Sequence, residues 1–265
     1  MKNEVRRFLS LSQREIERDF KPGNPPYSPF FKGGDKKELS LRPDEVWPGI
    51  YRIGRLWDDY DCCVYVIDAQ SELVLVDAGT CGSFNELVDD LEELGLEPKQ
   101  VRTIIATHCH FDHVGSLAEF KEKFGTRVMA HKLETKAIET GEGTHAERFG
   151  LEYKPCKVDV SLEGGETLKL GQCELKIVPT PGHTPGHIAC YLDLAGDEKK
   201  RILFGGDVNG PYRLPGEPRA QAIASLQRLM ALKADILCEG HFGVFQPASE
   251  AERCVKFYLD LLVNG

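Results

Sequence analysis

Seven consecutive residues, Thr107-His108-Cys109-His110-Phe111-Asp112-His113, carry the strongest chemical signal in the sequence. Four of them can donate to a metal, and they fall within six positions. Neutral imidazoles with a carboxylate are what borderline divalent ions such as zinc accept. The segment follows the apolar run VRTIIATH and precedes SLAEFKEKFG, whose apolar spacing is helical. A strand-to-helix turn brings such side chains to one small volume. Without a metal, three histidines packed this tightly would repel one another when protonated.

Three further residues share this character. His183 lies in PTPGHTPGH, Asp207 closes ILFGGD and His241 closes ILCEGH. Each sits at the C-terminal end of an apolar strand-like run, where a β fold presents its loops. His108, His110, Asp112, His113, His183, Asp207 and His241 therefore form one candidate set. The other histidines are expected to be bystanders: His187 behind the PGHTPGH turn, His131 structural at a strand end, and His145 exposed in a Gly-rich loop. Trp47, Trp57 and Tyr60 would line a groove or merely close a turn.

The elements that position this set alternate along the chain. WPGIYRIG, CCVYVIDA and ELVLVDAG read as strands, the last two joined by a Ser71-Glu72 turn. SFNELVDDLEELG repeats apolar residues at helical spacing, with Ser83 as the expected N-cap. VRTIIATH has the continuous apolar character of a strand buried on both faces. RVMAH, ETLKL, CELKIVPT, IACYLDL, RILFGGD and ADILCEGH are further strands, with helices at SLQRLMAL and EAERCVKFYLDLL. Residues 131–155 predict a helix and a loop near the mouth of the site. The pattern is α/β, a sandwich of two mixed sheets with helices outside. Residues 1–45, an amphipathic stretch and a Pro/Gly/Lys-rich arm, precede the domain at 46–265.

Composition narrows the function. The chain has 265 residues, 33 basic and 42 acidic, for a net charge of −9, which argues against a general nucleic-acid binder. No apolar run is long enough to span a membrane, and the N-terminus lacks the apolar core of a secretory signal. The expectation is a cytoplasmic protein acting on a small molecule. Nine cysteines without a CxxC pair read as buried, reduced thiols.

HxHxDH, then strand-end PTPGHTPGH, FGGD and GH, together with Val76-Asp77-Ala78-Gly79, resemble the metallo-β-lactamase superfamily over about residues 46–245. The resemblance implies an αβ/βα four-layer sandwich, here with an N-terminal extension. It implies His108, His110 and His183 at a first metal, Asp112, His113 and His241 at a second, and Asp207 bridging both. Asp77 is similar to the aspartate that orients a ligand without touching the metal. Two divalent ions follow, zinc first and iron or manganese as alternatives. A hydroxide between them would be the nucleophile, with Asp112 as proton carrier. The chain resembles N-acyl-homoserine lactonases in HFDH, TPGHTPGH and its single domain. Their tyrosine after the bridging aspartate suggests Tyr212 as support for an oxyanion. Lactones are therefore the first expected substrates and glyoxalase II-type thioesters the second, with phosphoesters third. THCHxDH also resembles persulfide dioxygenases, which hold one iron. Asp207 argues against β-lactams. The arm is expected to mediate a homodimer.

Overall fold

A computed structural model of the protein describes residues 43–54, 61–194, 199–208, 210 and 217–264. Of the helix and arm expected at 1–45, residues 1–42 lie outside the described ones, as do Trp57, Tyr60 and Tyr212, while Asp44 and Glu45 already belong to the first strand.

Among the described residues, thirteen strands form two sheets. The first holds β1 (Asp44–Trp47), β2 (Ile50–Ile53), β3 (Val64–Asp68), β4 (Leu73–Val76), β5 (Val101–Ala106), β6 (Arg127–His131) and β7 (Val160–Leu162), in chain order. It is antiparallel from β1 to β4 and parallel from β4 to β7. The second runs β13 (Gly243–Phe245), β12 (Ile236–Glu239), β11 (Lys200–Gly206), β10 (Ile188–Leu194), β9 (Cys173–Pro179), β8 (Thr167–Leu170). Only its β11–β12 pair is parallel. Both sheets are thus mixed, as the sequence pattern implied.

Side-chain alternation explains the layers. Along β4, Leu73 and Leu75 face one buried cluster and Val74 and Val76 the other. The first cluster packs under α1 (Phe84–Glu93), α3 (Leu117–Phe124) and α4 (Lys132–Thr140), through Leu87, Leu91, Leu117, Phe120 and Ile138. The second lies between the sheets, where Val74, Val76, Ile105 and Met129 meet Ile177, Cys190, Phe204 and Cys238. A strand covered on both faces must be apolar throughout, and each such side chain contributes about 1.5–3 kcal/mol on burial. α5 (Glu217–Leu232) and α6 (Ala248–Asn264) pack on each other, and α6 also contacts β12 and β13.

Local departures have physical causes. WPGIYRIG is two strands, not one, because Pro48-Gly49 turns the chain, with Gly49 at φ +81°. β7 and β13, only three residues each, are too short to show a period. Ser83 does not cap α1. Its backbone is already helical, at φ −78° and ψ −2°, and its hydroxyl donates to Thr80 C=O (2.8 Å). All nine cysteines are free thiols. Among the described residues, no helix is long and apolar enough to cross a membrane.

Candidate metal centre

All seven candidate ligands occupy one end of the sandwich. His108, His110, Asp112 and His113 follow β5, the last two within the single-turn helix α2 (Phe111–Val114). His183 lies between β9 and β10, Asp207 directly follows β11 and His241 follows β12. One sheet therefore supplies four donors and the other three.

The donors fall into two triads. His183 Nε2 stands 3.1 Å from His108 Nε2 and 2.8 Å from His110 Nδ1, and the last two are 3.0 Å apart. His113 Nε2 and His241 Nε2 are 3.5 Å apart, and lie 3.5 and 3.4 Å from Asp112 Oδ2. Asp207 touches both groups. Its Oδ2 lies 3.2 Å from both His183 Nε2 and His241 Nε2, and its Oδ1 is 3.1 Å from His113 Nε2.

Hydrogen bonds fix which nitrogen faces inward. Thr107 Oγ1 gives its hydrogen to Asp77 Oδ2 (2.9 Å), so toward His108 Nδ1 (3.0 Å) it can only accept. A neutral His108 therefore presents a bare Nε2 to its triad. His113 Nδ1–H donates to Asp77 Oδ2 (2.8 Å), and His241 Nδ1–H donates to the Asp61 carbonyl (3.1 Å). Asp77 thus orients a donor in each triad, and its Oδ1 also accepts the Thr107 amide (2.7 Å). It does so from a left-handed backbone, φ +67°, a strain that asparagine and aspartate tolerate. Asp77→Asn replaces one acceptor oxygen with an NH2 group that must face a donor. An outer partner of this kind is worth about 10–100-fold in metal affinity. That loss should appear in a chelator competition, and unchanged affinity would remove Asp77 from this role.

The remaining supports are local. The Asp207 amide donates to His187 Nε2 (3.1 Å), while His187 Nδ1–H donates to Thr180 Oγ1 (2.8 Å). Glu239 Oε2 accepts the amides of His241 and Phe242, both at 2.7 Å. Glycine is required where backbone crosses the centre. A Cβ on Gly240 would stand 2.6 Å from Asp207 Oδ1, and one on Gly206 would stand 2.7 Å from His187 Nε2. These contacts account for the glycines in the strand-end GGD and GH motifs.

Electrostatics separate the triads. Burial, and then the neighbouring imidazoles, hold His108 and His110 well below the ordinary histidine value. Burial takes His183 down to about 3 against the pull of Asp207. The other triad goes the opposite way. Burial lowers His241, but Asp207 and then Asp112 outweigh it and raise it to about 9. Burial also lowers His113, yet Cys62, Asp207, Asp112 and Asp77 carry it well above the usual range. Burial opposes ionisation of Asp207, but His241, His113 and His183 hold it well below the usual carboxylate range.

This donor set fits divalent cations. Three imidazole nitrogens facing one another at 2.8–3.1 Å cannot all be satisfied by mutual hydrogen bonds. Ligands about 2.0–2.1 Å from a shared ion stand at comparable separations. Asp207 Oδ1 is buried and makes no well-aligned hydrogen bond, with His113 Nε2 3.1 Å away, a setting that suits a shared cation. Behind the centre, a cavity of about 20 Å³ is lined by His183, Asp207, Ala222, Ser225 and Leu226. It has room for about one water.

Two positions differ from the sequence reading, or escaped it. His145 was expected to be exposed, but is half-buried with its ring 4.9 Å from that of His110. The Thr144 carbonyl accepts the Phe111 amide (2.9 Å), which pins the loop over the ligand turn, and His145 takes a left-handed φ of +69°. Glu134, on α4, reaches two ligand loops, and nothing in its local sequence marks it. His131 is structural as expected: its Nδ1 accepts the Leu133 amide and its Nε2–H donates to the Glu163 carbonyl. Cys109 is buried, with Sγ toward Gly143 C=O.

Two mixed sheets with outer helices, and a histidine–aspartate cluster at the strand ends, define the fold class of the metallo-β-lactamases. The metallo-beta-lactamase superfamily matches residues 57–241, and the chain belongs to it. The chain is 28% identical over 207 residues to hydroxyacylglutathione hydrolase GloC of Haemophilus influenzae, covering 74% of this chain and 91% of that protein. It is 28% identical over 214 residues to acyl-coenzyme A thioesterase MBLAC2 of Gallus gallus, covering 69% and 73%. Among solved structures, the subclass B3 metallo-β-lactamase BJP-1 of Bradyrhizobium japonicum superposes with a TM-score of 0.70. The two share 26% identity, over 84% of this chain and 91% of that one.

Proposed function

We propose that this protein is a dinuclear metal-dependent hydrolase of ester-type bonds. The observation that carries the reading is Asp207, one carboxylate within 3.2 Å of imidazoles from both triads. His108, His110 and His183 would hold one ion, Asp112, His113 and His241 the other, and Asp207 both. Zinc is the first choice for this nitrogen-rich set. Bound ions would supply Lewis acidity and an acidified water. Asp112, whose Oδ2 lies 3.4–3.5 Å from His241 and His113, would take up a proton in this reading. The thiols at the centre are unsuited to attack: burial raises Cys62 to about 12 and pushes Cys109 higher still, and the thiolate is the nucleophilic form.

The names of GloC and MBLAC2 support testing thioesters first, ahead of the lactones that the motifs suggest. The test is metal analysis coupled to a panel of a thioester, a lactone, a phosphodiester and a β-lactam. About two ions per chain with thioester or lactone turnover is the expected result. One iron per chain, with oxygen consumed in the presence of glutathione persulfide, would replace this reading with a dioxygenase.

A further inference from the structure

Glu134 stands in the first turn of α4 and is 1% exposed. Its Oε2 accepts the Cys109 amide at 2.9 Å, and its Oε1 accepts the Gly186 amide at 2.6 Å. Cys109 lies between His108 and His110, and Gly186 belongs to the loop that carries His183. These loops come from different sheets. The main chain joins them through Ile188 N–H to Thr107 C=O (2.9 Å), and Glu134 adds a side-chain bridge. Gly186 is shaped to receive it: a Cβ there would stand 2.6 Å from Glu134 Oε1 and 2.7 Å from His131 Nδ1.

We infer that Glu134 is a positioning residue that sets the separation of the two loops, and through it the donor spacing of the His108/His110/His183 triad. The second triad does not depend on it, because His113 is oriented by Asp77 and the His241 amide by Glu239. The inference rests on the metal-centre reading above and assigns a selectivity that this reading does not contain. A residue serving stability alone would weaken both ion sites together, or neither.

The experiment titrates Zn²⁺ into metal-free protein against a chelator at fixed pH, for the unmodified chain and for Glu134→Gln. His183→Ala and His241→Ala serve as references that identify each site. Glutamine keeps the length of the side chain but turns an NH2 toward one of the two amides. The expected result is about 10–100-fold weaker binding at the site that His183→Ala abolishes, with the other unchanged within about twofold. Glu134→Asp, one methylene shorter, should not restore it. Gly186→Ala, which displaces the carboxyl without altering it, should reproduce the selective loss and serves if Glu134→Gln does not fold. Equal weakening of both sites, or of neither, would overturn the inference. If His183→Ala and His241→Ala each still bind two ions, the metal-centre reading itself fails.

Discussion

Replacing Asp207 with alanine should remove turnover and at least one of the two proposed ions, a larger effect than any other single change in the centre. The carboxylate faces His183, His113 and His241 within 3.2 Å, so its loss alters both triads at once. The second triad keeps Asp112 as its one anion, and the first keeps none. Losing an outer partner costs about 10–100-fold, and a carboxylate in direct contact with both sites should exceed that. The fold should persist, because the residue 207 amide still donates to His187 Nε2. Asp207→Asn separates charge from shape: the amide fills the same space, yet the ions should still be lost. Metal content with circular dichroism checks both variants. Two retained ions with turnover would remove Asp207 from the bridging role.

Metal uptake should depend on pH at one triad and not at the other. At neutral pH, His183, at about 3, is unprotonated, and so are His108 and His110, which also lie well below the usual range. Their lone pairs are free, and affinity there should stay flat between pH 6 and 8. His241, raised to about 9, keeps its proton over that range, as does His113. An ion must displace these protons. Affinity should therefore climb about tenfold per pH unit for each proton released, with the His241 part levelling off above about 9. The same shifts govern the metal-free chain. His241 has a folded value above its unfolded one of about 6.5. Its contribution to stability is full below about 6.5 and is lost as pH rises through about 9. Calorimetric titration in buffers of different ionisation enthalpy would count the released protons. Two sites with the same pH dependence would contradict the assignment.

The candidate donors were legible as a group because each follows the end of an apolar strand. An apolar run such as VRTIIA or KIVP is readable without structure, and so is the polar residue that interrupts it. The two sheets were legible for the same reason. What stayed hidden depends on distant contacts. Glu134 looks like any helical glutamate, and its burial follows only from the meeting of two loops far away in sequence. His145 looks exposed because its neighbours are polar glycine-rich residues, yet one backbone bond from Phe111 to Thr144 folds that loop inward. Ser83 had the right type for a cap but the wrong backbone angles.

The division of donors between the sheets bears on how the protein is made. A nascent chain that has completed β1 to β7 already displays His108, His110, Asp112 and His113, but it lacks His183, Asp207 and His241. At that stage four donors crowd one turn without the carboxylate that later spans the centre. An ion captured then would have an incomplete coordination sphere and could exchange for whichever metal is abundant. Only when β12 has emerged are all seven donors present. Whatever selectivity the complete set imposes on an ion would therefore exist only once both sheets are in place.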